Sequence, residues 1–335
     1  MSELQFTIPT LFGLEGVCAD EVRRLELPQV KAENGRVLCA GSERDLPRLN
    51  LNIRTGERVL LTLGTFRAGD FDALFEGVRA LPWERFIPRD GQFPVKGHCL
   101  NSSLHSVPAC QSIVKKAIAA RLGSKYGLQT LPETGALYQV QFAIMGDEAA
   151  LMLDTSGPGL HKRGYRSQGV AAPLRETLAA GLVLLSRYKG RDPLCDPFCG
   201  SGTIPIEAAL IARNRAPGLN RSFSAQKWSW LDKQYWMSAA DEAVRFDVDD
   251  ATRFHWGGLY GRVVTNPPYG ERVMERKEAE ELYRSFGKAW DKLPEGWKLY
   301  LLSSHTEFER TFGKKADKKR KLYNGMLKCD LFMYL

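Results

Sequence analysis

The chain has 335 residues, 44% hydrophobic and 26% charged, which suits two or three packed domains and excludes a disordered or fibrous chain. No apolar run approaches the roughly 20 residues of a membrane span, and the opening Met1-Ser2-Glu3-Leu4-Gln5 lacks the basic and apolar regions of a secretory signal, so a cytoplasmic protein is expected. Forty-seven Lys and Arg against 39 Asp and Glu leave a formal charge of +8, which leans toward a polyanionic partner.

In chain order, residues 4–8 read as a strand and residues 11–25 as a helix, with Leu11, Leu14, Val17 and Val22 on one side. Strands at 30–32 and 37–40 flank Asn34-Gly35, a hairpin signal. A helix at 45–52 and a strand at 58–65 complete a β-α-β-β-α-β order, that of a small ferredoxin-like layer. A second unit follows, with a helix over 70–81, a strand over 93–100 and a basic helix over 107–122. A strand pair over 137–154 turns at Gly146-Asp147. The basic helix carries Lys115, Lys116 and Arg121, which suit either a solvated face or an RNA contact. The seven cysteines have no framework spacing, and His98, Cys99, His105 and Cys110 match no common zinc pattern, so no metal is expected.

Residues 156–173 are rich in glycine and basic side chains, including Lys162, Arg163 and Arg166, and read as a linker or clamp. A helix over 174–188 precedes a strand at 193–195 that runs into Asp196-Pro197-Phe198-Cys199-Gly200-Ser201-Gly202-Thr203 and then a helix. Glycines at 200 and 202 let backbone approach a ligand, and the amides opening the next helix favour a negative group. Pro205 breaks the dinucleotide-binding pattern, and no Gly-Lys-Ser/Thr follows to make a P-loop. The eight-residue run resembles the first motif of class I S-adenosylmethionine (AdoMet) methyltransferases. That resemblance implies a loop around the methionyl end of AdoMet and an acid near its ammonium.

Residues 246–254 contain Asp250 at the end of a predicted strand, similar to the family's third motif, in which an acid meets the adenine amino group. After the strand-like Arg262-Val263-Val264 comes Thr265-Asn266-Pro267-Pro268-Tyr269-Gly270-Glu271-Arg272. Two prolines make a rigid turn that no helix or central strand can cross. The same four residues, 266–269, resemble the Asn-Pro-Pro-Tyr of amino-group methyltransferases. An exocyclic amine on a base is a poor nucleophile because its lone pair is delocalised. The Asn266 oxygen and the Pro267 carbonyl can accept its two N–H bonds, while Tyr269 offers a face to an extruded base. Positioning then supplies much of the acceleration.

A doubly wound sheet calls for a complete strand, acidic end and helix between the glycine loop and the Asp250 strand. Here a helix over 234–243 runs straight on, so a segment is expected to be absent at the junction of Ala243 and Val244, leaving the ribose contact unassigned. Residues 308–335 add Lys314, Lys315, Lys318, Lys319, Arg320 and Lys321, then an Asn324-Gly325 turn into a final strand.

Residues 102–118, 160–166 and 172–181, taken with the motifs above, make the whole chain similar to THUMP-containing RNA guanine-N2 methyltransferases that modify 23S rRNA. The resemblance implies a ferredoxin-like subdomain at 1–65, a THUMP module at 66–155 and a Rossmann-like α/β catalytic domain at 156–335. It implies AdoMet as cofactor, held by residues 196–203 and Asp250, with Arg175, Glu176 and Thr177 near its methionyl end. It further implies 23S rRNA or an assembling large subunit as partner, gripped by Lys115, Lys116, Arg121, Lys162, Arg163 and Arg166, with no membrane and no obligate protein partner. Two other readings stand beside it. One is N6-adenine methylation of DNA, which the same Asn-Pro-Pro-Tyr serves. The other is a non-catalytic RNA-binding or ribosome-assembly factor, against which both intact motifs speak.

Overall fold

The computed structural model describes residues 3–166, 174–243, 260–269, 275–291 and 296–335. The first six elements are β1 (Leu4–Pro9), α1 (Glu15–Arg24), β2 (Lys31–Glu33), β3 (Arg36–Gly41), α2 (Asp45–Asn52) and β4 (Leu60–Arg67), in the expected ferredoxin-like order. β1 lies between β3 and β4, both antiparallel to it, and sends Phe6 and Ile8 into the core. Cys18, Ala19 and Val22 of α1 and Leu46 and Leu49 of α2 close over that face. Gly35 takes φ +72° in the two-residue turn, which sets the register Glu33↔Arg36.

α3 (Phe71–Ala80), β5 (Val95–Leu100), α4 (Val107–Tyr126), β6 (Val140–Met145) and β7 (Glu148–Asp154) follow. Asp70 caps α3 by accepting from the Ala73 amide at 2.8 Å, and α4 stops at Gly127, whose φ is +65°. β7 pairs antiparallel with β4, giving one seven-stranded sheet in the order β2-β3-β1-β4-β7-β6-β5. The division expected at 65/66 therefore falls inside β4, because backbone pairing carries the sheet straight through it.

The second sheet collects α5 (Glu176–Leu185), β8 (Leu194–Cys195), α6 (Thr203–Ala212), α7 (Lys233–Ala243), β9 (Tyr260–Thr265), α8 (Arg276–Trp290), β10 (Gly296–Ser303), α9 (Phe308–Phe312), β11 (Lys318–Asn324) and β12 (Leu327–Tyr334). Its order is β11-β12-β10-β9-β8, with β8, β9 and β10 parallel and the terminal hairpin antiparallel. Among the described residues β8 pairs with β9 alone. Asp250 and the expected junction at Val244 lie outside the described residues.

The two layers interlock rather than follow each other along the chain. Phe223, Trp228, Leu231 and Trp236, between α6 and the end of α7, pack into the core of the seven-stranded sheet, and Trp228 stacks on Tyr138 at 5.0 Å. In the other direction, Leu14 just before α1 sits in the second core with Leu178, Leu182 and Tyr300. Helical spacing at 234–243 reveals an amphipathic helix; it carries no mark of which sheet the helix covers.

Candidate active site

β8 and β9 run side by side in the register Leu194↔Arg262 and Cys195↔Val263, so Asp196 and Thr265 leave their strands together at the carboxyl edge. That edge is where open α/β sheets bind ligands. The buried Thr265 donates from Oγ1 to Asp196 Oδ1 at 2.6 Å, and the Phe198 amide donates to the same oxygen at 3.2 Å. Burial raises the Asp196 carboxyl above its ordinary value, and the two hydrogen bonds oppose the shift. A cation at the other carboxylate oxygen would offset that desolvation.

Beyond Asp196 the chain turns through Gly200 at φ +51° and Gly202 at φ +73°, both in the left-handed region. A Cβ on Gly200 would meet nothing within 4 Å, so this backbone borders open space. Pro197, Cys199 and Gly200 are exposed, Phe198 meets Phe286 edge-on at 5.1 Å, and Ser201 Oγ lies 3.1 Å from Thr203 Oγ1 at the start of α6. An acid, an open glycine backbone and helix-start amides fit the ammonium and carboxylate of AdoMet.

The segment before the motif is tied to it. Arg166 donates to Thr203 Oγ1 at 2.5 Å and to the Leu174 carbonyl at 3.0 Å, and pairs with the buried Glu176 at 3.3 Å. Glu176 thus reaches the loop through Arg166. The side chains of Arg175 and Thr177 bind Glu57 of the first layer, at 3.2 and 2.5 Å, and so tie the segment before α5 to that layer.

At the end of β9 the Tyr269 hydroxyl donates to Asn266 Oδ1, and the Tyr283 hydroxyl of α8 donates to the Pro268 carbonyl. Tyr269 is half-buried against the second core, with Cys329 Sγ 3.8 Å from its oxygen, and burial holds its phenol well above the ordinary range. The neutral phenol orients the Asn266 amide, which keeps a second lone pair for another donor. The Pro267 carbonyl accepts no hydrogen bond among the described residues. Two tyrosines therefore hold the turn, while the half-buried Asn266 and the buried Pro267 each keep acceptor capacity unused among the described residues.

The residues expected to grip RNA separate into classes. Lys116 and Lys162 are exposed. Lys115 binds both oxygens of Glu133 at 2.6 and 2.7 Å, and Arg121 binds Glu84 at 2.7 and 2.9 Å, so both are already neutralised. Arg163 is only 2% exposed; it donates to the carbonyls of Leu160 and Arg54 and lies 3.4 Å from Glu207. Burial removes Arg163 from any RNA surface, and Arg166 is committed to the glycine loop. Glu57, Glu207, Thr265 and Tyr283 escape a reading of the sequence. Glu207 alone leaves a trace there, an acid within the apolar run Thr203-Ile204-Pro205-Ile206 to Ala212.

The geometry agrees with the chain's relatives. Residues 163–243 and 237–332 match the RMKL-like methyltransferase domain, residues 5–60 the RlmL ferredoxin-like domain and residues 68–154 the THUMP domain. The methyltransferase match divides near Ala243. A Bacillus subtilis relative, "Putative RNA methyltransferase YpsC", is 41% identical over 361 residues, covering 96% of this chain and 93% of its own. That match is longer than the 335-residue chain, so the relative carries residues inside it that this chain lacks. "Ribosomal RNA large subunit methyltransferase K/L" of Syntrophotalea carbinolica is 31% identical over 96% of this chain, which spans only 52% of that protein. A solved "predicted N6-adenine-specific DNA methylase" from Listeria monocytogenes superposes with TM-score 0.91 at 42% identity, covering 100% of this chain and 97% of the other. A "putative methyltransferase complexed with SAH" does so with TM-score 0.90 at 36% identity, covering 100% and 98%. The chain belongs to the RMKL-like family of AdoMet-dependent methyltransferases, with ferredoxin-like and THUMP domains ahead of the methyltransferase domain.

Proposed function

We propose that this protein methylates the exocyclic N2 of a guanine in 23S rRNA. The observation that carries the proposal is the pair of acceptors at the end of β9, the Asn266 oxygen and the Pro267 carbonyl. They directly follow the strand whose last residue, Thr265, binds the Asp196 carboxylate. Bound AdoMet supplies an electrophilic methyl group. The protein's own part is to accept two N–H bonds from the target amine, so that its lone pair turns out of conjugation toward that methyl. The half-buried Tyr269 ring borders the turn on which the base would lie, and its hydroxyl keeps Asn266 in place.

Support for RNA comes from the THUMP match, from the RNA methyltransferase name of the B. subtilis relative and from the large-subunit rRNA names of the K/L relatives. Guanine N2 and 23S rRNA rest on the resemblance to that group. DNA adenine is the second reading, favoured by the name of the Listeria structure. Labelled AdoMet offered with matched RNA and DNA separates the two, with nucleoside mass spectrometry to name the product. N2-methylguanosine from RNA is expected, and label confined to DNA adenine would refute the proposal. Asn266→Ala should cut transfer by at least about 100-fold while RNA binding persists; undiminished turnover would remove Asn266 from the mechanism.

A further inference from the structure

A cleft of about 640 Å³ opens between α1 of the first layer and the β10–β11 region of the second, beside the end of α5. Six cations line it: Arg23 and Arg24 from α1, Arg187 just past α5, Lys298 from β10, and Lys318 and Arg320 from β11. Few negative groups answer them. Asp20 is held by Arg23 at 2.7 Å. The carboxylate of the buried Glu21 is taken by the amides of Arg54 and Thr55 at 3.0 Å and by the Thr55 hydroxyl. Arg24, Arg187, Lys298, Lys318 and Arg320 make no ion pair among the described residues, and all but the half-buried Arg320 are exposed.

Unpaired cations this close repel one another, a cost that a polyanion relieves. The contrast with the basic helix α4 is direct, since Lys115 and Arg121 there already have acidic partners. Val17 and Tyr300, which line the cleft, belong to the second core or pack against it, so the cleft is built on rigid elements. It sits beside the early part of β10, at Lys298, away from the β8 and β9 ends that carry Asp196 and Asn266.

We infer that this cleft binds the phosphate backbone of the RNA substrate, away from the reacting base. The inference rests on the RNA reading above and assigns the main electrostatic grip to the α1–β11 junction rather than to α4. Contacts of this kind position a substrate without reading its sequence, and each contributes to salt dependence through counterion release.

The test uses the whole chain and an unmodified 23S rRNA transcript, with binding measured at several salt concentrations. The triple variant Arg24→Gln/Lys298→Gln/Arg320→Gln is compared with a control, Lys31→Gln/Arg79→Gln/Arg284→Gln, whose cations are ion-paired. The cleft variant should bind about tenfold more weakly at moderate salt, with a salt slope shallower by about 2, given roughly 0.7 per single-strand phosphate contact. The control should keep the wild-type slope, both variants should keep wild-type AdoMet affinity, and the cleft variant should melt no lower than the wild type. If the wild type binds the transcript and the cleft variant binds it equally well, the inference falls and the RNA reading stands. An equal loss on polyglutamate would mark a general anion surface and also overturn the inference. Failure of the wild type to bind RNA would overturn both.

Discussion

The seven-stranded and five-stranded sheets use their polar groups in opposite ways. In the first, most of the buried polar side chains are consumed by the fold itself, although the Tyr138 hydroxyl, the Trp236 indole N–H and one Arg54 nitrogen have no partner among the described residues. Asn50 bridges Leu46, Thr155 and Ser156 at 2.7 to 3.0 Å, Glu21 binds the Arg54 and Thr55 amides, and Trp83 donates to the Val78 carbonyl at 2.7 Å. In the second, β8 has only two residues, and the loop after it leaves Asp196 half-satisfied and Gly200 facing open space. A fully satisfied network rigidifies, whereas an unsaturated one is where a ligand can contribute. The comparison teaches that the first layer is a platform, and that chemistry belongs where strand ends are left incomplete.

Trp83→Ala should break the comparison most forcefully from the platform side. It removes a fully buried indole and its hydrogen bond, so a loss of about 3–5 kcal/mol is expected in urea unfolding. AdoMet affinity of the folded fraction should not change; a change would mean the layers are not separable in this sense. Asp196→Asn tests the other layer. Losing a charged partner for the ammonium should weaken AdoMet by roughly 10–100-fold, equivalent to about 1.5–3 kcal/mol, with little change in global stability.

The pH dependence of that site has a definite sign. Because the folded carboxyl of Asp196 titrates above its ordinary value of 3.8, its ionised form is lost as pH falls through the raised value. AdoMet affinity should therefore begin to drop at a higher pH than an ordinary aspartate would dictate, and titration calorimetry should find the drop absent in Asp196→Asn. Without ligand the linkage reverses. The stability contributed by the raised carboxyl is fully present below the unfolded value and is lost as pH rises through the folded one. The smallest effect belongs to Tyr283→Phe, which frees the Pro268 carbonyl. We expect kcat to fall a few-fold, on the order of 0.5–1.5 kcal/mol, with AdoMet affinity unchanged. A kcat equal to wild type would show that the turn holds itself.

Much of this organisation is legible in the residues because local rules were sufficient for it. Strand-like runs marked β1 and β3, and Asn34-Gly35 and Asn324-Gly325 placed two hairpins, whereas α4 runs past its expected end at 122 to stop only at Gly127. The glycine loop and the Asn-Pro-Pro-Tyr turn stand out because each needs particular residue types at adjacent positions. What stayed hidden depends on partners distant in sequence. Arg163 and Lys162 are neighbours with the same charge, yet one is buried beside Glu207 and the other is exposed. Lys115 and Arg121 look like an RNA-binding face until Glu133 and Glu84 arrive from 18 and 37 residues away.

By itself, then, the sequence determined the element order, the two motifs and the family, since periodicity, turn chemistry and motif spacing act over a few residues. Tertiary structure alone decided that β4 and β7 fuse two modules into one sheet and that Trp228 and Trp236 return to the first core. It also decided that Thr265 joins Asp196 to the Asn266 turn, and which cations are left unpaired. These outcomes depend on which surfaces meet. Backbone pairing and burial reward contacts between residues far apart in the chain, and no local pattern records them.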